Sequence, residues 1–396
     1  MIEPRLRFKA DDGSQFPDWE EKVFGDFVDT HLEKTSDKDK YPLYSLTIES
    51  GVQPKTDRYE REFLVKKEGD NYKIVPPNAF VYNPMNLRFG ALKVNHEKFS
   101  VSVSGYYDVF SLKDNSVLAF WENYLVTPKM LNYYFSISTG SLIEKLRVHY
   151  SQFVKIKKPL PSLPEQQKIA EFLSTIDTVI EKQKETVSAW EERKKGVMQK
   201  LFNQEVRFKA DDGSDFPEWE EDMGCNRINI INGKPFDSKK FTTVDNGNPI
   251  IRIRDLDECT ITLYSAEKYE AKYKVKKGNI LIGMDGDFSV VKWNNVDVGL
   301  NQRIMHVIGK NDYIDDFMYY QLIPLIHEIN VRTPFSTVKH LSSNTVFNMK
   351  LLIPCLAEQQ KIADCLSSLD EVIEKQKATL AVWEELKKGL LQQMFV

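Results

Sequence analysis

Leu163-Pro-Glu-Gln-Gln-Lys-Ile-Ala170 opens a stretch that runs to Phe202, and Leu356-Ala-Glu-Gln-Gln-Lys-Ile-Ala363 opens another that runs to Phe395; in register, 25 of 40 positions are identical. A repeat at fixed offset divides a chain before any other signal does. Working outward, Arg7-Phe-Lys-Ala-Asp-Asp-Gly-Ser14 through Glu21 returns as Arg207-Phe-Lys-Ala-Asp-Asp-Gly-Ser214 through Glu221, with changes only at Gln15/Asp215 and Asp18/Glu218. The stretches between these copies share no comparable identity. The chain reads as a symmetric frame carrying two different inserts, each with its own binding face.

Within the first long repeat, Ile169, Leu173, Ile176, Ile180, Val187, Trp190, Val197 and Leu201 alternate steps of four and three, the heptad seam of a coiled coil. The second repeat matches it with Ile362, Leu366, Leu369, Ile373, Leu380, Trp383, Leu390 and Met394. Polar residues break both seams at the same steps, Gln183 with Gln376 and Lys194 with Lys387. Such breaks weaken a seam but fix its register, so the two helices are expected to pair with each other. Ser162-Leu-Pro-Glu165 reads as a capping box, which Cys355 weakens in the second copy. A pseudo-two-fold axis would make the helices antiparallel, bring residues 7–21 near the end of the second helix, and place the termini close together.

Of 396 residues, 41% are hydrophobic and 28% charged, the composition of a folded chain of several domains. No apolar run approaches the roughly 20 residues of a membrane span, and no apolar leader follows Met1, so a soluble, cytoplasmic protein is expected. Cys225, Cys259, Cys355 and Cys365 form no C-x-x-C pair and are expected as reduced, mostly buried thiols. The net charge of −4 conceals a sorting, because residues 24–160 and 223–352 each carry three more basic than acidic residues. Mildly basic inserts on an acidic frame suit polyanion contact by the inserts and protein contact by the frame.

Residues 24–160 alternate β-like runs (Phe63-Leu-Val65, Tyr72–Val75, Ala79–Tyr82, Phe99–Ser104, Tyr107–Phe110) with turns, then a helical stretch from Leu118 to Leu146. Residues 223–352 repeat the order with strands near Ile228–Ile231, Ile250–Ile253, Asn279–Ile282 and Arg303–Ile308, then a helix from Asp315 to Glu328. Each insert is thus a mixed α/β domain leading into its helix through Lys157-Lys-Pro-Leu-Pro161 or Lys350-Leu-Leu-Ile-Pro354.

The order of insert, Glu-Gln-Gln-Lys-Ile-Ala helix, insert and helix resembles the specificity subunit of type I restriction-modification systems across essentially the whole chain. Tyr82-Asn-Pro-Met-Asn-Leu-Arg-Phe-Gly90, Gly278-Asn-Ile-Leu-Ile-Gly-Met-Asp-Gly286, Asn301-Gln-Arg303 and Thr337-Val-Lys-His-Leu341 add local likeness. The resemblance implies an α/β (mixed α+β) fold: two globular target recognition domains separated by two long antiparallel coiled-coil helices. The expected divisions are 1–23 and 204–222 (the short repeat), 24–160 and 223–352 (recognition domains), and 161–203 and 353–396 (helices). It further implies double-stranded DNA, two methyltransferase subunits and restriction/translocase subunits as partners, with no membrane. S-adenosylmethionine, ATP and Mg would serve those partners, and no cofactor is expected on this chain. A 38-residue helix rises roughly 57 Å, more than the roughly 34 Å turn of B-DNA, so the frame is expected to set the gap in a split target.

Reading bases requires paired donors or acceptors, chiefly Arg and Lys on guanine and Asn and Gln on adenine. In the first insert Asn83, Asn86 and Arg88 follow one strand, and Ser104, Tyr106 and Tyr107 form another turn. In the second, Arg252 and Arg254 are expected on one strand face, with Asn301, Gln302 and Arg303 entering another strand. Thr337, Lys339 and His340 form a polar loop, and Lys234 after Gly233 suits a phosphate. Asp285-Gly-Asp287 reads as a tight turn rather than a metal site.

Catalytic signatures are missing. Asn83-Pro-Met-Asn86 lacks the second proline and aromatic of an adenine methyltransferase, no G-x-x-x-x-G-K-[ST] run occurs, and Asp255-x-Asp257-Glu258 reads as a surface acidic run. The six histidines show no metal spacing. A non-catalytic binding subunit is expected, the alternative being a protein-protein scaffold with two different interaction domains.

Overall fold

The computed structural model describes residues 4–48, 51–55, 72–113, 116–245, 247–333 and 339–395. The chain forms two compact units, Met1–Glu185 with Ala378–Val396, and Thr186–Lys377. Each takes an insert, the start of one long helix and the end of the other.

In the first unit, Val28–Thr30, Asp108–Leu112, Phe80–Tyr82 and Leu92–Val94 form a four-stranded antiparallel sheet in that order. Lys34–Thr35, Tyr72–Val75 and Val101–Val103 make a second sheet. In the second unit, Ile228–Asn232, Ile304–Gly309, Ile280–Gly283 and Val290–Lys292 reproduce the four-stranded order. A five-stranded sheet there includes one parallel pair, Asn248–Ile251 with Val298–Leu300. Two inserts without comparable sequence identity therefore fold on one plan.

Several sequence expectations need correction. The stretch from Leu118 to Leu146 divides into helices Leu118–Tyr124 and Pro128–Ile137 and a single turn at Ile143–Lys145. The break falls at Thr127, whose Oγ1 caps the next helix by accepting from Met130 N, with Pro128 in the first turn. Helix Asp315–Arg332 runs one turn past its expected end and contains Pro324. Cys225 is exposed and the other three cysteines are half-buried, because Cys225 lies with Asn226 on the outer side of the short turn Gly224–Arg227, whose Gly224 alone is buried. Asp255 is buried rather than superficial, its carboxylate held by Arg252 and Thr262. Phe63-Leu-Val65 lies outside the described residues.

The long helices span Leu163–Phe202 and Leu356–Met394. Their starts do not use a capping box. Ser162 Oγ has no hydrogen-bond partner, and buried Glu165 instead accepts from Arg7 Nε and Nη2 (3.0 and 2.9 Å) and Trp19 Nε1 (3.2 Å). Glu358 likewise accepts from Arg207 (3.1 and 2.8 Å) and Trp219 (3.0 Å). The next residue pins the turn into the helix, Gln166 Nε2 donating to Pro161 O and Gln359 Nε2 to Pro354 O. Two residues on, Lys168 meets Asp11 and Lys361 meets Asp211. The two separate sequence repeats are thus the two sides of one clamp. Strand Glu20–Val23 pairs with Lys157–Leu160, and Glu220–Met223 with Lys350–Ile353, which ties each short repeat to the strand before its helix.

Helix meets helix inside each unit. Asp177 pairs with Lys387 at 2.5 Å in the first. In the second, Lys194 pairs with Asp370 at 2.5 Å and Glu191 with Lys377 at 2.9 Å, an antiparallel order. Asp177 and Asp370, like Lys194 and Lys387, are repeat-equivalent, so the polar seam breaks Lys194 and Lys387 have carboxylate partners. Seam residues Ile169, Leu173, Ile176, Ile180, Val187, Ile362, Leu366 and Ile373 are buried, while Gln183, Trp190, Leu369, Gln376, Leu380 and Trp383 are half-buried. The seam ends serve the insert cores. Ile169, Ala170, Leu173, Met394 and Phe395 join one core, and Leu201, Ile362, Ala363 and Leu366 the other. Leu6 N donates to Gln393 O at 3.0 Å, so the first short repeat lies at the end of the second helix and near the chain's other terminus.

Candidate nucleic-acid interface

Three candidate readers, Asn83, Tyr107 and Arg303, lie at the same edge of the repeated four-stranded sheet. In the first unit Asp108 faces Tyr82 across the ladder, so Tyr107 and Asn83 are the next residues beyond its end. In the second, Gly283 faces Ile304, and Met284 and Arg303 follow, joined by a Met284 N to Arg303 O hydrogen bond of 3.0 Å.

In the first unit Asn83 Oδ1 accepts from Met85 N, a local turn bond that occupies this acceptor. Asn86 is exposed beside the turn Leu87–Phe89. Arg88 donates to Ile143 O at 2.8 Å and stacks over Phe89, 4.6 Å from the ring centroid, so its charge is turned into the protein. Ser104 Oγ accepts from Tyr106 N, which leaves Tyr106 88% exposed at the tip. Tyr107 packs against a small core of Val75, Val81 and Val103, and burial pushes its hydroxyl pKa up.

In the second unit three loops are stitched together. Lys234 bridges to Asn301, and Gln302 N donates to Lys234 O at 3.0 Å. Gly233 is required there, because an added Cβ would stand 1.9 Å from the Asn301 carbonyl oxygen. Gly233→Ala is expected to cost about 1–3 kcal/mol by forcing backbone apart, measurable as a lower urea midpoint. Asp285 pairs with Arg303 Nη1 at 2.8 Å and His340 Nδ1 at 2.7 Å, and its backbone bridges to His340. Asn330 Nδ2 donates to Asp287 Oδ1 at 3.4 Å. The Asp285-Gly-Asp287 turn is therefore the knot of this edge.

Other candidates are spoken for. Lys234 Nζ meets Glu267, whose carboxyl is held below its ordinary pKa mainly by that hydrogen bond. Arg252 does not share a strand face with Arg254, since the strand ends at Ile251 and a 3-10 turn covers Ile253–Asp255. Arg252 donates to Asp255 at 2.7 Å and to Thr262, and the first bond raises its pKa, while Arg254 is exposed. Lys339 is buried and donates to Asn330 O at 2.9 Å. Thr337 lies outside the described residues. Gln302 and Arg303 are exposed and Asn301 is half-buried. In sequence Asp285 reads only as a turn residue, because its partners Arg303 and His340 lie 18 and 55 positions away and no local pattern links them. Among the described residues, no group of three or more His, Cys, Asp or Glu side chains has the arrangement to hold a metal ion, and no helix is long and apolar enough to cross a membrane.

The same frame occurs in known proteins. A family model described as "Type I restriction modification DNA specificity domain" matches residues 17–188 and 228–382. The Type I restriction enzyme EcoBI specificity subunit of Escherichia coli is 35% identical over 165 residues, 41% of this chain and 35% of that protein. The Type I restriction enzyme MjaVIII specificity subunit of Methanocaldococcus jannaschii is 28% identical over 261 residues, 60% of this chain and 61% of that protein. The alignments thus span less than two thirds of either relative. The crystal structure of a type-I restriction-modification system S subunit from M. genitalium superposes with a TM-score of 0.54 over 100% of this chain and 99% of that one, at 14% identity, a likeness of fold. The family match covers both inserts and most of both helices, and the chain belongs to the type I restriction modification DNA specificity family.

Proposed function

We propose that this chain reads a split DNA target for a type I restriction-modification complex, residues 24–160 serving one half and 223–352 the other. The observation that carries this reading is the equivalence of the two sheet edges. One strand order presents Asn86 and Tyr106 in one unit and Gln302 and Arg303 in the other. A constant frame with different polar side chains at one position suits two readers of different sequence.

In this reading the chain has no active site of its own, and the clamped helices form the frame on which two methyltransferase subunits and the restriction subunits dock. S-adenosylmethionine-dependent methylation and ATP- and Mg-dependent cleavage belong to those partners. The protein works in the cytoplasm, where its DNA is. The test is a mobility-shift titration of the full chain with its candidate methyltransferase subunit at about 50 and 200 mM salt. Contacts to six to ten phosphates predict a loss of roughly a thousandfold or more in affinity over that range. An absence of duplex binding, or binding indifferent to salt, overturns the proposal.

One observation favours a protein-binding role beside it. Around Arg88 in the first unit, Met85, Phe89, Phe135, Leu142 and Ile143 are all exposed. Apolar side chains grouped in this way suit a protein partner better than a phosphate backbone.

A further inference from the structure

We propose that Arg303 reads a guanine in the half-target served by the second insert, with Asp285 as its positioning residue and His340 as the second group that Asp285 orients. This rests on the DNA-reading function proposed above and assigns roles within that site.

The inference follows from what each candidate cation of the second insert already does. Lys234 is committed to Glu267, Arg252 to Asp255 and Thr262, and Lys339 is buried on Asn330. Arg254 is exposed on the turn Ile253–Asp255, outside the strand ends that meet at Asp285. Arg303 differs from all of these. Its side chain is 55% exposed, yet its Nη1 is held 2.8 Å from Asp285 Oδ2, a carboxylate only 21% exposed. A guanidinium has five donors in a planar fork, so one ion-pair contact keeps the group beside Asp285 and leaves other N–H groups for an acceptor pair. Guanine O6 and N7 are such a pair in the major groove.

The backbone holds this arrangement from both sides. Met284 N donates to Arg303 O at 3.0 Å, Leu341 N to Met284 O at 2.7 Å, and Gly286 N to Lys339 O at 3.3 Å. Asp285 therefore sits where a strand end, the entry to the next strand and the loop before the second helix are hydrogen-bonded together. Its other oxygen takes His340 Nδ1 at 2.7 Å, which leaves Nε2 of this half-exposed ring as the group facing away from the pair. Holding a reading side chain before DNA arrives reduces the ordering cost of binding, and that is what the carboxylate contributes.

The test uses the full chain in its own host, with methylation-aware genome sequencing and selection from a randomised duplex pool as readouts. Arg303→Ala is expected to relax one guanine position by roughly tenfold to a hundredfold, with the other half-target unchanged. Arg303→Lys keeps the charge but not the fork, and should relax the same position. Asp285→Asn should relax that position less, and the double variant Asp285→Asn/Arg303→Ala no further than Arg303→Ala alone. A purely structural role for Asp285 would instead lower affinity for all sequences equally. If the unaltered chain yields no split motif, the DNA-reading function itself fails. If it yields one and Arg303 variants leave it intact, relax a position that is not guanine, or act on a different position from Asp285→Asn, this assignment is overturned and the function stands.

Discussion

Glu358→Ala is expected to destabilise the unit Thr186–Lys377 by about 3–5 kcal/mol, the range for removing one member of a buried ion pair. The carboxylate is fully buried and accepts two bonds from Arg207 and one from Trp219. Its loss leaves a guanidinium largely withdrawn from water with only the exposed Glu218, 3.4 Å from Nη1, as counter-charge, and an indole N–H without an acceptor. Arg207 keeps its bonds to Phe216 O and Pro217 O and a long contact to the solvent-screened Glu218, which soften the loss without replacing the buried charge. Glu165→Ala should act alike on the first unit, since Arg7 and Trp19 repeat the geometry. Urea unfolding followed by tryptophan fluorescence measures both. A loss below about 1 kcal/mol would mean that the short repeat is not held through this carboxylate. Replacing both Arg207 and Glu358 by methionine should recover much of the stability, because well-packed apolar residues substitute for a buried pair at little cost.

This clamp marks what the sequence tells and what it withholds. Repetition announced that Arg7, Glu165, Arg207 and Glu358 matter, and the seam spacing told where the long helices run. It did not tell that the two repeats touch, so Glu165 reads as a helix cap when its partner lies 158 positions earlier. Strands with β-branched runs, such as Ile228–Asn232, were legible from local pattern. Lys157–Leu160 and Lys350–Ile353 were not, since both become strands only by pairing with the short repeats. At the candidate interface, residue type led to one sheet edge in both units, because polar side chains collect where a ladder ends. Type alone did not separate Arg303 from Arg252. That distinction depends on which carboxylate each arginine meets, a long-range fact for Asp285 and a local one for Asp255.

Exchanging residues 24–160 for the insert of another family member is expected to change one half of the methylated target completely and leave the other half untouched. The two main cores share no residue, so the foreign insert can repack without disturbing the second. It cannot repack freely, however, because the frame contributes Ile169, Ala170, Leu173, Met394 and Phe395 to the first core. Phe395 lies 5.7 Å from the ring of Phe120 and 5.4 Å from that of Tyr124, so a donor lacking aromatics at those places would leave a cavity under the end of the second helix. The junctions must also respect the ladder of Glu20–Val23 with Lys157–Leu160, of which the second strand travels with the insert. A donor keeping both features should give a stable hybrid with a new half-target. A donor without the aromatics should lose about 3–5 kcal/mol, the cost of truncating buried aromatic packing, with whatever specificity remains in the second half intact. Methylation-aware sequencing of cells carrying the hybrid reads the result directly. A motif altered in both halves would show that the inserts do not read independently, and would leave the shared frame, rather than either sheet edge, as the source of specificity.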